Sequence, residues 1–381
     1  AEAERKRKIQ QDEDALDAAT QNSRGIQHET GRGVPKNSVE AARWYRKAAD
    51  RGFPAAQFNL GNLYYRGDGV PKNRAEAAKW YRKAAEQGLA VAYPPLGNIY
   101  YAGDGVPQDR TEAFKWFRKA AEQGDVQALS NVGAMFTFGD GVPKNTTEGV
   151  RWDQPAAERG NVYSQFRLGK AYASGEGVPK SPADAVKWYR RAADQGHAEA
   201  QSNLGVMYAN GDALPQDRTE AAKWQRKAAD QGLGRAQRLL GEMYAKGEGV
   251  PKDANEAVKW FRKSADQGNY LAQTQLGNAY RDGNGAPQGN AAAVRWYREA
   301  ADQGHAEAQY QLGHMYLKGH GVPRNPIEAH AWWSLAAAQG HADAKATLSN
   351  SETMLSLDQK AESMKLARLK REEIKDKKAK P

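Results

Sequence analysis

The chain has 381 residues and a net charge of +10, and it contains no cysteine. The lack of cysteine excludes disulfide bonds, thiolate zinc sites and cysteine nucleophiles. No run of residues approaches the ~18–20 apolar residues of a membrane-spanning helix. Basic and acidic residues alternate, which is typical of solvated helix faces, so nucleic acid is not the expected partner. The chain begins at Ala1, which fits removal of a secretory signal and favours a periplasmic location, with a cytoplasmic one as the alternative.

Residues 1–16 are highly charged and predict a lead-in helix. Beyond them, a proline recurs every 36 residues and a tryptophan follows each proline at a constant distance. A fixed period of this length indicates a repeat solenoid, in which each unit buries its apolar face against its neighbours. The prolines are Pro35, Pro71, Pro107, Pro143, Pro179, Pro215, Pro251, Pro287 and Pro323, and the tryptophans are Trp44, Trp80, Trp116, Trp152, Trp188, Trp224, Trp260, Trp296 and Trp332.

Each repeat predicts a pair of helices, as residues 53–88 illustrate. A first helix begins at Pro54 and carries an apolar stripe, and Gly61 on that stripe allows a second helix to pack closely. Gly67 stops the first helix, and Asn73 with Glu76 forms a capping box for the second. The second helix buries Trp80 and its alanine neighbours, so the tryptophans are expected to be core residues rather than ligand contacts.

Residues 89–163 depart most from the repeat pattern. Pro94 and Pro95 fall inside a first helix, which must therefore start late or kink. Pro155 falls inside a second helix, where Asp153 also replaces the usual tyrosine or phenylalanine. These departures indicate either a functional region or sequence drift that an array of repeats tolerates.

The C-terminal end predicts a closing element. Residues 341–350 resemble the start of a tenth first helix, and Ser356 with Gln359 predicts the cap of a terminal helix. Leu357, Ala361, Met364 and Ala367 are expected to cover the last open face, with a frayed basic tail over 375–381. The predicted organisation is a lead-in helix at 1–16, a solenoid at 17–349 with about nine helix pairs, and a capping helix with a basic tail at 350–381.

The pattern A-x-A-Q-x-x-L-G-x-x-Y-x-x-G-x-G-V-P-x-[N/D]-x-x-E-A-x-x-W-x-x-x-A-A-x-x-G closely resembles the Sel-like repeat family, a relative of the tetratricopeptide repeats. The resemblance spans about residues 17–349. It implies an all-α, right-handed α/α superhelical solenoid with first helices on the concave side and tryptophan helices outside. It also implies a non-catalytic adaptor, often of bacterial envelopes, or an inhibitor such as an immunity protein that blocks a secreted toxin.

The partner is therefore expected to be another protein, either a secreted effector or an envelope complex, bound in the concave groove. Positions on the first helices that vary between repeats are the candidate contacts, because invariant positions belong to the scaffold. The alternative is that these side chains merely fill gaps between helices. The predicted partner-binding residues are Phe58, Tyr65, Tyr101, Tyr163, Phe166, Lys170, Arg238, Glu242, Arg281, Tyr310 and His314.

Two other functions stay open. Groove carboxylates such as Glu199, Glu242 or Glu307 are candidates for a cell-wall or glycan-acting enzyme, but they show no evident pairing. Rows of Arg and Lys on the second helices are candidates for binding an anionic surface or nucleic acid. The sequence has no HExxH, GxSxG or phosphate-loop motif, and its histidines have no metal-ligand spacing, so neither catalysis, cofactor nor metal is predicted.

Overall fold

The computed structural model describes residues 2–350 and 354–379. All regular structure in these residues is helical, which confirms the all-α repeat fold. A single 3₁₀ turn at Ala90–Ala92 precedes one of the helices. The α-helices are α1 Glu2–Ala15, α2 Ala18–Thr30, α3 Ser38–Asp50, α4 Pro54–Arg66, α5 Arg74–Glu86, α6 Tyr93–Ala102, α7 Arg110–Glu122, α8 Val126–Phe138, α9 Thr146–Glu158, α10 Val162–Ser174, α11 Pro182–Asp194, α12 Ala198–Asn210, α13 Arg218–Asp230, α14 Gly234–Lys246, α15 Ala254–Asp266, α16 Tyr270–Asp282, α17 Asn290–Asp302, α18 Ala306–Lys318, α19 Pro326–Ala338, α20 Ala342–Asn350 and α21 Leu357–Ala379.

Two compact units make up the chain, residues 1–188 and residues 189–381. Along the chain the even-numbered helices are the first helices of their repeats, and the odd-numbered helices from α3 to α19 are the second helices. Within each unit most consecutive helices pack in chain order, and each unit holds several small apolar clusters rather than one central core. This arrangement follows from the repeat, because each helix pair can bury its apolar stripe only against the next pair.

The tryptophan helices are buried as predicted. Eight of the nine repeat tryptophans are buried, and Trp152 is partly buried. Gly61 shows why a first helix keeps its glycine, since a Cβ there would lie 2.8 Å from the ring of Tyr81. Because Gly61 has no side chain, the ring of Tyr81 lies directly on the backbone of α4.

The predicted caps form, but in a modified way. Asn73 Oδ1 accepts a hydrogen bond from the backbone N–H of Glu76, and the equivalent Asn, Asp or Ser does the same at the other predicted boxes. The Glu76 carboxylate contacts Lys79 rather than reaching back to the cap. The cap oxygen therefore satisfies the helix N-terminus while the carboxylate joins a surface ion pair.

The irregular segment folds around its prolines. The 3₁₀ turn at Ala90–Ala92 delays the start of α6 until Tyr93, as the two prolines of that helix predicted. Pro155 lies inside α9 without ending the helix, which continues to Glu158.

The C-terminal helix α21 begins with the predicted cap, because Ser356 and Gln359 exchange hydrogen bonds of 3.0 and 3.2 Å. The prediction of which face of α21 covers the last repeat was wrong. Ala361 is exposed, as are Leu357 at 84% and Met364 at 59%, and of the four predicted residues only Ala367 is buried. The polar contacts of α21 decide which face turns inward, and Ser363 hydrogen-bonds His330 while Lys370 pairs with Glu328.

The basic end of α21 was also wrongly predicted to be frayed. The helix includes Lys375 and extends to Ala379, and Lys377 Nζ lies 3.0 Å from Asp302 Oδ2. This ion pair ties the last turns to α17 and so favours continued helix. Lys380 and Pro381 lie outside the described residues.

Candidate protein-binding surface

The arginines of the second helices hold successive repeats together. Six of them donate to the hydroxyl of a tyrosine 18 residues later, on the next first helix, with the guanidinium over the same ring. The spacing of the Arg and Tyr rows was a signal for this contact that the sequence analysis missed. Much of the donor capacity of this basic row is therefore used inside the scaffold. The pairs are Arg46–Tyr64, Arg82–Tyr100, Arg190–Tyr208, Arg226–Tyr244, Arg262–Tyr280 and Arg298–Tyr316.

A buried glutamine in most first helices forms a second internal link. Gln57 Nε2 donates to the carbonyl of Ala49, and Gln57 Oε1 accepts from Gln87 Nε2 at 2.7 Å. The same arrangement recurs 36 residues apart in the second unit. These glutamines are thus scaffold, which leaves the variable positions of the first helices as candidates for contact.

Three of the predicted contact residues lie in α4 and α6. Phe58 is partly buried and packs on Tyr81 with ring centres 5.7 Å apart, so it fills space between helices. Tyr65 is exposed, with the guanidinium of Arg74 4.1 Å from its ring centre.

Tyr101 is also exposed and is held in place by two charged residues. Its hydroxyl donates to Asp140 at 2.8 Å, and Arg110 both pairs with Asp140 and lies 4.9 Å from the Tyr101 ring centre. The hydrogen bond to Asp140 raises the pKa of the Tyr101 phenol. Arg74 pairs with Asp104 one repeat earlier, so Tyr65 has the same setting of an arginine and an aspartate.

A pocket of about 240 Å³ opens beside Tyr101. Phe117, Ala134 and Met135 provide its apolar lining, and Phe138 also lines it. Phe138 is 67% exposed and was not predicted from the sequence. In its own repeat, Phe138 lies one residue after the position equivalent to Tyr65 and Tyr101. A search for aromatic residues at a constant register therefore does not find it.

The other predicted aromatic pair of this unit lies in α10. Tyr163 is exposed in the first turn of the helix, whereas Tyr65, Tyr101 and Phe138 lie near the ends of theirs. Phe166 is half-buried one turn later, and Lys170 Nζ lies 5.9 Å from its ring centre.

Asp153 forms a buried polar network where other repeats place an aromatic ring. The side chain is 1% exposed, and it accepts hydrogen bonds from Arg167 and from Ser164 at 2.6 Å. Arg167 also donates to the carbonyl and hydroxyl of Ser130 at 2.8 Å. Burial raises the pKa of the Asp153 carboxyl, against the opposing effect of Arg167.

In the second unit, Arg238 and Glu242 pair with each other along α14. Glu242 lines a pocket of about 630 Å³ together with Gln225, which replaces the aromatic residue of other repeats. Gln225 is itself satisfied, since it exchanges hydrogen bonds with the hydroxyl and carbonyl of Ser202. The smaller side chain leaves space where a ring would otherwise lie.

The remaining predicted residues, Arg281, Tyr310 and His314, are engaged inside the protein. Arg281 binds Asp282 and Gln311, each at 2.7 Å. Tyr310 lies between two imidazoles, with ring centres 4.6 Å from His314 and 4.8 Å from His341. Burial lowers the pKa of His314. These three residues therefore contribute to packing at the C-terminal repeats.

The Sel1 repeat profile matches the sequence in nine consecutive segments, at residues 21–53, 54–89, 96–125, 126–161, 162–197, 198–233, 234–269, 271–305 and 306–341. The chain belongs to the Sel1 repeat family. The Sel1 repeat solenoid is a scaffold typical of protein–protein interaction and is generally not enzymatic.

Two solved structures of Sel1 repeat proteins are similar over most of their length. One is a protective antigen present in uropathogenic Escherichia coli strains and displaying an SLR fold, with 33% identity, a TM-score of 0.66, and coverage of 96% of this chain and 87% of that one. The other is a Sel1 repeat protein from Oxalobacter formigenes, with 34% identity, a TM-score of 0.63, and coverage of 81% and 89%. A search of curated proteins gave no match.

The described side chains give little support to a glycan-acting enzyme or a metal site. Glu307 lies 2.9 Å from His341 and also accepts from Gln311, and Glu242 pairs with Arg238, so each carboxylate has a partner of its own. Within residues 2–350 and 354–379, no three His, Asp or Glu side chains are grouped to hold a metal ion. Over the same residues, every helix is too short or too polar to cross a membrane.

Proposed function

We propose that this Sel1 repeat protein is a non-catalytic scaffold that binds another protein on the first-helix surface of residues 1–188, defined by Tyr65, Tyr101, Phe138 and Tyr163. One observation carries the proposal. In the described part of the chain, the exposed aromatic side chains all belong to first helices, and four of the five belong to the first helices of residues 1–188. Exposed aromatic residues are the usual anchors of protein interfaces.

The setting of two of these aromatics supports the same role. Tyr65 and Tyr101 each lie beside an arginine that is itself paired with an aspartate. A ring fixed in this way loses little conformational freedom when a partner covers it, so more of the contact energy remains for binding. The tyrosines of the arginine links are partly buried, by contrast, and serve the scaffold.

The finer forms of the proposal are an envelope adaptor and an inhibitor of a secreted toxin. Both would use the same surface, and the identity of the partner distinguishes them. Co-expression with a toxin encoded beside the gene tests the inhibitor form, because a bound toxin should lose activity in proportion to the complex formed.

The proposal is tested by site-specific photo-cross-linking in the producing organism. A benzophenone amino acid replaces Tyr65 or Tyr101 in the full chain, and Lys79 serves as the matched control because it is exposed on second helix α5. We expect one protein to be cross-linked from both tyrosine positions and not from Lys79. Equal cross-linking from all three positions, or none at all, would overturn the proposal.

The purified partner then allows the anchor to be measured. Tyr101→Ala should weaken binding at least about tenfold, as expected for an interface anchor. Lys79→Ala should change the affinity by less than about twofold, as expected for a residue outside the interface.

A further inference from the structure

A cavity of about 860 Å³ opens at one edge of the second unit, where second helices end and first helices begin. Its walls come from the end of α17, the residue that follows α19, the first turns of α16 and α18, and the last turns of α21. The volume is within the range of pockets that hold a small ligand or a side chain. The cavity lies at the ends of the helices and belongs to residues 189–381, so it is not part of the surface proposed above.

Glu299 reverses the charge that other repeats place at this edge. It stands three residues after Trp296, where six other repeats carry lysine or arginine. In five of these repeats the ammonium group lies 4.0–5.2 Å from the centre of the tryptophan ring. Asp302 follows one turn later, so the last turn of α17 has two carboxylates and no basic residue. The six basic residues are Lys47, Lys83, Lys119, Arg191, Lys227 and Lys263.

The side-chain amides that line the cavity have already used their donors. Gln303 Nε2 donates to Gln273 Oε1 at 2.8 Å and to the carbonyl of Glu299 at 3.3 Å. Gln339 uses its amide nitrogen in the same way. An amide has two N–H donors, so the oxygen of each side chain is the atom that remains for a ligand. Glu299 accepts from Arg295 at 3.2 Å, which orients the carboxylate and leaves further lone pairs.

His305 adds another acceptor. Thr274 Oγ1 donates to the carbonyl of Tyr270 at 2.8 Å, so its 2.9 Å contact with His305 Nδ1 assigns the ring proton to Nδ1. Burial lowers the pKa of His305, which keeps the ring neutral at pH 7 and Nε2 unprotonated. Tyr270 packs on this ring with centres 5.0 Å apart, and its own side chain is 44% exposed.

A basic side chain of the protein itself already enters the cavity. Lys377 lines it from α21, and its Nζ lies 3.0 Å from Asp302 Oδ2. The two side chains are 58% and 38% exposed, and an ion pair that solvent reaches contributes little to stability. The lysine therefore indicates a cationic ligand and leaves at low cost. The ends of α17 and α18 meet here with opposite dipoles, so the carboxylates decide the local charge.

We propose that this cavity binds an arginine side chain of another protein, which takes the place of Lys377. A guanidinium has five N–H donors and no acceptor, which matches a lining of carboxylates, amide oxygens and an imidazole nitrogen. Its N–H groups pair with Asp302 and Glu299 while its plane stacks on the ring of Tyr270. Lysine fits less well, because an ammonium group concentrates its donors at one point. The site goes beyond the proposed function and does not depend on the surface in residues 1–188.

The first test titrates the full chain with Nα-acetyl-L-arginine N-methylamide and follows binding by saturation-transfer-difference NMR. This probe has the side chain and the uncharged backbone of an arginine within a protein. The citrulline analogue has the same shape without the charge, and should bind at least about tenfold more weakly. Equal binding of the two analogues would overturn the cation site. Free arginine that binds about tenfold more tightly than the blocked probe would overturn the assignment to a protein side chain.

Three variants test the cavity with the same probe. Lys377→Ala removes the internal competitor and should strengthen binding about two- to fivefold. Tyr270→Ala should weaken binding about two- to fivefold through the lost ring face, and Ala306 at the same register shows that the helix accepts alanine. Glu299→Lys installs the residue of other repeats and should abolish binding, because an ammonium group then replaces the carboxylate.

Asp266→Asn is the matched control for Asp302→Asn. Asp266 has the same register one repeat earlier, where Lys263 lies 4.0 Å from the ring centre of Trp260. Asp302→Asn should weaken binding at least about threefold, whereas Asp266→Asn should leave it unchanged. Affinities unaffected by Asp302→Asn or Glu299→Lys would overturn the site, and unchanged binding to the Lys377→Ala protein would overturn the exchange with α21. None of these results bears on cross-linking from Tyr101, so the two proposals fail separately.

Discussion

Removal of the Asp153 carboxylate should destabilise the first unit strongly. Asp153→Ala leaves the guanidinium of Arg167 largely buried, with a side chain only 15% exposed and without its counter-ion. The neutral oxygens of Ser130 and Ser164 remain as its acceptors, and they do not balance a full positive charge. Breaking a buried ion pair from one side costs about 3–5 kcal/mol of unfolding free energy.

The assay is equilibrium unfolding in urea at neutral pH, followed by far-UV circular dichroism and tryptophan fluorescence. Asp153→Ala, Arg167→Ala and the double variant form a thermodynamic cycle. Because each single change leaves one member of the network unpaired, the double variant should lose less stability than the sum of the two. A loss below about 1 kcal/mol for Asp153→Ala, or additive losses, would refute the buried-pair explanation.

A variant that restores the usual repeat residues should keep or raise the unfolding free energy. Asp153→Tyr, Ser164→Ala and Arg167→Asn together install the residues that other repeats carry at these positions. The ring should pack on Gly133, which already lies against the Asp153 side chain. Replacing a buried ionic network by packed residues is neutral or stabilising by about 1–4 kcal/mol, so this protein should be at least as stable as the natural one.

Three further changes have defined outcomes. Ala213 has φ of 56° where the other repeats place glycine, so Ala213→Gly should raise the unfolding free energy by about 1 kcal/mol, visible as a higher Tm; an unchanged Tm would contradict the strain. Tyr244→Phe removes the hydroxyl that Arg226 donates to but keeps the ring, and should cost about 0.5–1.5 kcal/mol in urea unfolding, whereas a neutral result would mean that the ring alone makes the link. Burial lowers the pKa of His314, so its protonation favours the unfolded chain and the unfolding free energy should fall as pH drops below about 6.5. His314→Asn should reduce the slope of unfolding free energy against pH, and an unchanged slope would assign the pH dependence to other groups.

The sequence was sufficient for the features that depend on local chain chemistry. The 36-residue period placed every helix pair, and Asn73 illustrates why the boundaries were predictable, since a cap bonds only to residues two or three positions away. The burial of the tryptophans followed as well, because a large apolar ring repeated on one helix stripe has to meet the next repeat.

Among the candidate contacts, Tyr65, Tyr101 and Tyr163 are exposed aromatic residues of first helices, and their role in partner binding stays a prediction. It could not separate them from Phe58 and Tyr310, which pack inside, because all five vary freely between repeats. Which variable residue is exposed depends on the residue across the helix pair, such as Tyr81 against Phe58.

Other features were decided only by tertiary contacts. The Arg226–Tyr244 link joins residues on different helices, and the Asp153–Arg167 network exists only because two departures from the repeat meet in space. The terminal helix α21 turns Ser363 inward and leaves Leu357 exposed, against its own apolar pattern. The repeat period and the helix caps can be read directly along the sequence. The choice of contact partner across helices requires the packed backbone that brings those side chains together.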